Sequence, residues 1–132
     1  MKQFTLRRRR SEPSTLVVLE ERPFWFAELQ RRLGPEAISV RLRCRAEDVW
    51  ESLKTGHVRM LVIGADVDLP AVLRLLIRLA DHPFSVRSAV LVAPETRELE
   101  WSLRELGAVD ILQTPFEIRG LVDIVRREFR QG

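Results

Sequence analysis

Short continuous apolar runs alternate along this chain with stripes at helical spacing. Leu16-Val17-Val18-Leu19 is an uninterrupted apolar run, the pattern of a strand covered on both faces, and Glu20-Glu21 ends it. Pro23 fits the first turn of a helix. Phe26, Leu29 and Leu33 then recur at helical spacing, and Gly34 supplies the stop. Ile38, Val40, Leu42 and Cys44 alternate with Ser39, Arg41 and Arg43. That alternation predicts a strand with one wetter face, hence an edge, and makes Cys44 a small inward residue. Ala46, Val49, Trp50 and Leu53 form a helical stripe closed by Gly56. Residues 60–63 predict a second buried strand, from which Gly64-Ala65-Asp66 leads out. Pro70 opens a very apolar helix through Leu79, and residues 89–92 predict a third buried strand. Leu99, Leu103 and Leu106 mark a helix ended by Gly107. Residues 109–112 read as a short strand, and Ile118, Leu121, Val122, Val125 and Phe129 line a last helix.

Five strands alternating with five helices predict an α/β fold, a parallel sheet with helices on both faces and right-handed crossovers. No internal repeat is visible, and one domain over 15–132 is expected. In such sheets the binding crevice lies at the carboxyl ends of the strands. That rule directs attention to Glu20, Glu21, Asp66, Asp68, Ala93 and Thr114.

The chain has 132 residues, the length of one ordinary domain. No apolar run approaches the roughly 20 residues that cross a bilayer. One cysteine and two histidines, His57 and His82, argue against a disulfide or a zinc site. Neither histidine sits at a catalytic spacing, and both read as surface residues. The net charge of +3 is unevenly spread. Lys2 and Arg7, Arg8, Arg9 and Arg10 are five of the 22 basic residues, which leaves 17 against 19 acidic ones. The body is therefore slightly acidic, and residues 1–14 read as a disordered basic tail. Tethering to phosphates or an anionic membrane surface through this tail is one candidate role; four clustered arginines bind weakly and in a salt-sensitive way. No specific nucleic-acid partner and no membrane span are expected, and the expected compartment is the cytoplasm.

Aromatic placement adds one candidate surface. Trp101 lies two residues from Leu99, about 200° around a helix, and so should point outward. Exposed tryptophans are enriched at interfaces. Arg97 and Arg104 flank it. Phe24 also falls off its core stripe, Trp50 joins its own, and Trp25 lies between these cases.

The pattern resembles the receiver domain of bacterial response regulators over about residues 15–130. Leu16-Val17-Val18-Leu19-Glu20-Glu21 resembles the first strand and acidic pair. Asp66-Val67-Asp68-Leu69-Pro70 resembles the phospho-acceptor stretch, with Asp four residues before Pro. Leu103-Arg104-Glu105-Leu106-Gly107-Ala108-Val109-Asp110 is similar to the family's L-x-x-L-G-A-x-D segment, and Thr114-Pro115-Phe116 falls where the family has Lys-Pro-Phe. The resemblance implies a flavodoxin-like (βα)5 fold with strand order 2-1-3-4-5. It implies Asp66 as the phospho-acceptor position; counting from the apolar strand core would place Ala65 there instead. Glu20, Glu21 and Asp68 would complete an acidic pocket, with a weak Mg²⁺ site at Glu20, Glu21 and Asp66 as a candidate and no other cofactor. A cis bond at Thr114-Pro115 is a further implication.

The departures from the family pattern each remove a part with a physical role. Glutamates replace the usual aspartates, shifting each carboxylate by a methylene that octahedral Mg²⁺ tolerates poorly. The lysine that steadies phosphoryl oxygens is Thr114. The hydroxyl position of the switch is Ala93, followed by Pro94, and the aromatic switch position is Ile111. The loop after Pro70 is shortened. The expectation is therefore a stand-alone degenerate receiver, not an enzyme, acting as a phosphorylation-independent protein-interaction module. A homodimer through the fourth-helix, fifth-strand and fifth-helix face is expected. The alternatives are a genuine phosphoryl acceptor on Asp66 with Mg²⁺, and nucleic-acid or membrane tethering through the tail.

Overall fold

Every strand of the sheet runs parallel to its neighbours. The computed structural model describes residues 15–64, 66–81, 86–107, 110–113 and 117–130. Strands β1 (Thr15–Leu19), β2 (Ser39–Arg43), β3 (Val58–Ile63), β4 (Arg87–Val92) and β5 (Asp110–Gln113) form one sheet in the order β2-β1-β3-β4-β5. The helices are α1 (Trp25–Leu33), α2 (Ala46–Leu53), α3 (Leu69–Ala80), α4 (Glu100–Glu105) and α5 (Ile118–Arg130). Two 3-10 turns, Gly34–Glu36 and Pro94–Leu99, complete the described elements. This is the flavodoxin-like order that the resemblance to receiver domains implies, and β2 lies at an edge, as its own alternation predicts.

The continuous apolar runs are buried because helices cover both faces of the central strands. Val17, Leu19, Leu61, Ile63, Val90 and Val92 face one core, closed by Val49, Trp50 and Leu53 of α2, Val72, Leu75 and Leu76 of α3, and Leu103 of α4. Leu16, Val18, Met60, Val62, Ala89 and Leu91 face the other, closed by Leu29 and Leu33 of α1 and Leu121, Val122 and Val125 of α5. Each fully buried Leu or Val contributes about 1.5–3 kcal/mol through removal from water. At the amino-terminal end of the sheet, Glu128 of α5 is gripped by two arginines. Arg87 Nε reaches its carboxylate at 2.9 Å, and Arg59 Nε donates to its carbonyl at 3.0 Å. Arg59 also lies 5.9 Å from the Phe129 ring centroid.

Two expectations need correction. Cys44 is exposed, because β2 stops at Arg43 and the alternation no longer describes a paired strand beyond it. The helix anticipated from Leu99 onward is shorter. Leu99 closes the 3-10 turn begun by Pro94, and only Glu100–Glu105 is α-helical before Gly107 turns the chain at φ 105°. Among the described residues no helix is long and apolar enough to cross a membrane. The basic tail, His82, Ala65, Thr114 and Pro115 lie outside the described residues.

Candidate functional site at the carboxyl ends of the strands

The residue after β1 has turned away from the crevice. Glu20 is 2% exposed. Its Oε2 accepts hydrogen bonds from the amides of Phe24 and Phe26, both at 3.1 Å, and its Oε1 accepts from the amide of Trp25 at 3.0 Å. Those amides belong to the start of α1, where they have no intrahelical acceptor. The residue at the cap position is Phe24, whose side chain makes no capping bond. Glu20 therefore supplies the cap from four to six residues upstream, and its negative charge meets the positive end of the helix. The long side chain suits this reach. The Glu20 amide donates to the Arg43 carbonyl at 3.1 Å, anchoring its backbone to β2.

Asp66 is turned toward the same loop. Its Oδ2 accepts from the Arg22 amide at 2.7 Å, and its Oδ1 accepts from the Glu21 amide at 3.3 Å. The carboxylate thus pins the β1–α1 loop to the loop after β3. Gly64 makes this approach sterically feasible. A β-carbon there would lie 2.9 Å from Glu20 Cγ, 3.2 Å from Asp66 Oδ1 and 3.2 Å from the Leu19 carbonyl. Asp68 acts differently again, as the N-cap of α3, accepting from the Ala71 amide at 3.3 Å. The apolar helix α3 starts at once after it, with Pro70 in its first turn.

Three of the four acids expected in one pocket are therefore engaged with backbone amides, while Glu21 remains exposed. The candidate Mg²⁺ site at Glu20, Glu21 and Asp66 does not form. Glu20 is buried beneath the start of α1, and among the described residues no group of three His, Cys, Asp or Glu side chains is placed to hold a metal ion. The residues present do not fit a divalent cation. A recess of about 450 Å³ lies beside this end of the sheet. Glu21, Asp68 and Cys44 line it together with Arg45, Arg74 and Arg78.

Ala93 directly follows β4 and is partly buried, ahead of the turn that starts at Pro94. Its methyl group offers no hydroxyl at that position. Ile111 is half-buried in β5 and packs against the core that holds α2, α3 and α4. Thr114 and the side chain of Arg97 lie outside what is described. Trp101 projects from α4 and is 75% exposed, as its offset from Leu99 predicts. Arg104, one turn on, bonds Glu100 at 3.2 Å. Phe24 is 67% exposed and stands edge-on to Trp25, with ring centroids 4.7 Å apart. Trp50 is 5% exposed, with the Arg78 guanidinium 3.8 Å from its ring centroid.

The capping role of Glu20 and the loop-pinning role of Asp66 were missed by reading the sequence. The one local signal was negative. Phe24, a poor cap, opens a helix with no Ser, Thr, Asp or Asn at its start.

No protein-family model matches the chain, and no curated protein matches it. Solved structures do. The chain is similar to the signal receiver domain of a putative Luxo repressor protein from Vibrio parahaemolyticus, at 12% identity with a TM-score of 0.78, covering 90% of this chain and 92% of that one. It is equally similar in shape to the receiver domain of the TMAO respiratory system response regulator TorR, at 22% identity and a TM-score of 0.78, covering 90% and 98%. A third is the receiver domain of a Saccharomyces cerevisiae response regulator, solved in complex with a histidine phosphotransfer signalling protein. There the identity is 14%, the TM-score 0.71 and the coverage 86% of each chain. The motifs that resemble receivers in the sequence and the sheet order in the structure agree: this chain has the fold of response regulator receiver domains.

Proposed function

We propose that this chain is a signalling module on the receiver fold that acts without phosphorylation, by presenting a fixed surface to a protein partner. One observation carries the reading. The carboxylates a phosphoryl switch would use are engaged in holding the fold, Glu20 on the α1 amides and Asp66 on the β1–α1 loop. A carboxylate that accepts a backbone bond on each oxygen is held in one orientation, and those bonds draw off part of the charge that would attack a phosphodonor. Among the described residues no cation site assembles beside it to screen the incoming charge. Ala93 lacks the hydroxyl that would follow a phosphoryl group, and Thr114 lacks the cation. The partner surface is the face formed by α4, β5 and α5, where Trp101 offers a large apolar anchor flanked by Arg104, and a second copy of the chain is the first candidate occupant.

The test is intact-mass measurement after incubation with Mg²⁺ and acetyl phosphate, beside Asp66→Ala and an active receiver treated in parallel. The expected result is no phosphoryl adduct on this chain while the active receiver is modified. An adduct that disappears in Asp66→Ala overturns the reading and makes Asp66 a phosphoryl acceptor.

A further inference from the structure

The opposite end of the sheet carries a second concave surface, and its chemistry differs from that of the acidic end. In the β1–β2 ladder Thr15 pairs with Ser39, Val17 with Arg41 and Leu19 with Arg43. Val17 and Leu19 face the core covered by α2, so Ser39, Arg41 and Arg43 share that face by strand alternation. Helix α2 has eight residues and spans about 12 Å. It packs through Val49, Trp50 and Leu53, then ends at a turn in which Gly56 takes φ 78°. Among the described residues, a groove of about 490 Å³ lies along β1 and β2 beside the end of this helix.

Cations and hydroxyls line this groove, over an apolar floor of Val17 and Val58. Among the described residues no carboxylate lines it; Asp48 and Glu51 line a neighbouring recess. Arg43 is held in place, its Nε donating to Ser52 Oγ at 2.8 Å and its Nη1 to the Leu42 carbonyl at 2.7 Å. Its remaining guanidinium nitrogen is thereby positioned before any ligand arrives, which lowers the ordering cost of binding. Arg41 is exposed two residues away on the same face. His57 and Thr55 form the opposite wall, joined by a 3.3 Å bond from the His57 amide to Thr55 Oγ1. Two guanidinium groups beside neutral donors, with no competing anion among the lining residues, are what a phosphate group requires.

We propose that this groove binds a phosphate-bearing small ligand, with Arg41 and Arg43 as the charge pair and the hydroxyls of Thr15 and Ser39 as neutral donors. The site is separate from the acidic end of the sheet and does not depend on Asp66. The source of the phosphate is either the inorganic anion or an organic phosphomonoester.

Amide chemical shifts of the full chain, titrated at constant ionic strength with inorganic phosphate and separately with adenosine 5′-monophosphate, test the proposal. Saturable shifts at Ser39, Arg41, Thr55 and His57 are expected with at least one of the two. Tighter binding of the nucleotide supports the site and assigns it to an organic phosphate; equal binding supports it and assigns it to the anion. Arg41→Gln should weaken binding about tenfold, the loss of one charge-assisted hydrogen bond. Arg74→Gln, at the other end of the sheet, should leave binding unchanged. Shifts that do not saturate with either ligand overturn the proposal, as do saturable shifts that are the same in Arg41→Gln.

Discussion

Gly64 stands directly against Glu20: a β-carbon added to the glycine would lie 2.9 Å from Glu20 Cγ, closer than real side chains approach one another. The glutamate cannot simply swing aside. Its two oxygens hold three amides of the α1 start, and it has 2% of its surface free. The backbone offers no alternative either, since the Gly64 amide donates to the Leu19 carbonyl at 2.8 Å. Gly64→Ala should therefore destabilise the protein by about 1–3 kcal/mol, the usual cost of overpacking a filled site. Chemical denaturation measures it. An unchanged midpoint would show that the strand end and the cap yield more easily than these distances imply.

Glu20 itself should be sensitive to the loss of one oxygen. In Glu20→Gln an amide nitrogen replaces an acceptor, and a donor then faces backbone donors. At least one of the amides of Phe24, Trp25 and Phe26 loses its partner in a buried setting. The expected loss is about 1–3 kcal/mol. Hydrogen exchange localises it: the first turn of α1 should exchange faster in the variant, while β3 and β4 keep their protection. Glu20→Asp should also destabilise, because the shorter side chain no longer reaches amides four to six residues away.

These two residues show why part of the site was legible in the sequence and part was not. The runs of β1, β3 and β4 are readable because both faces of a central strand are buried, so every position is apolar. Trp101 is readable because Leu103, two residues on in the same helix and on the apolar stripe, is buried, which puts the tryptophan on the opposite side. Glu20 and Asp66 were legible as acids at the carboxyl end of the sheet, but a sequence does not show where a carboxylate points. Capping from a residue several positions before the helix has no fixed spacing, unlike a side chain at the cap position itself. Cys44 was misplaced for a related reason: alternation shows the faces of a strand but not where pairing ends.

Asp66 makes a distinct prediction, because its bonds join two loops and cap no helix. Asp66→Ala should cost about 1–2 kcal/mol through two lost backbone bonds on an exposed carboxylate. Its signature is local, with faster exchange of the Glu21 and Arg22 amides and easier proteolysis of the β1–α1 loop. Asp66→Asn keeps one acceptor oxygen and should recover part of the protection at Arg22, whose bond is the shorter at 2.7 Å. If Asp66→Ala leaves exchange at 21 and 22 unchanged, the carboxylate does not pin the loop, and one support of the phosphorylation-independent reading falls.

Glu128 should matter for the docking of α5. Its side chain is 15% exposed and sits between Arg59 and Arg87. Arg59, 17% exposed, would keep its bond to the Glu128 carbonyl after Glu128→Ala but lose the nearby carboxylate. Half-exposed Arg87 can turn to water. The expected loss is about 1–2 kcal/mol, between a surface pair and a fully buried one. High salt should reduce the wild-type advantage only partly, since the pair is screened less than an exposed one.

Trp101 separates stability from association. With three-quarters of its surface in water, Trp101→Ala should change the unfolding free energy by no more than about 0.5 kcal/mol, as for surface positions generally. Its effect should fall on binding. If a second copy covers the α4 face, sedimentation equilibrium will show a concentration-dependent dimer for the wild type. The variant should dissociate at least tenfold more easily, corresponding to the roughly 2 kcal/mol typical of an interfacial tryptophan. Identical monomeric behaviour of both proteins at high concentration would exclude self-association as the use of this face and leave a different protein as its occupant. Leu103, two residues along and fully buried, is the contrast. Leu103→Ala should cost about 2–5 kcal/mol of stability, and any change in dimerisation should follow from that loss.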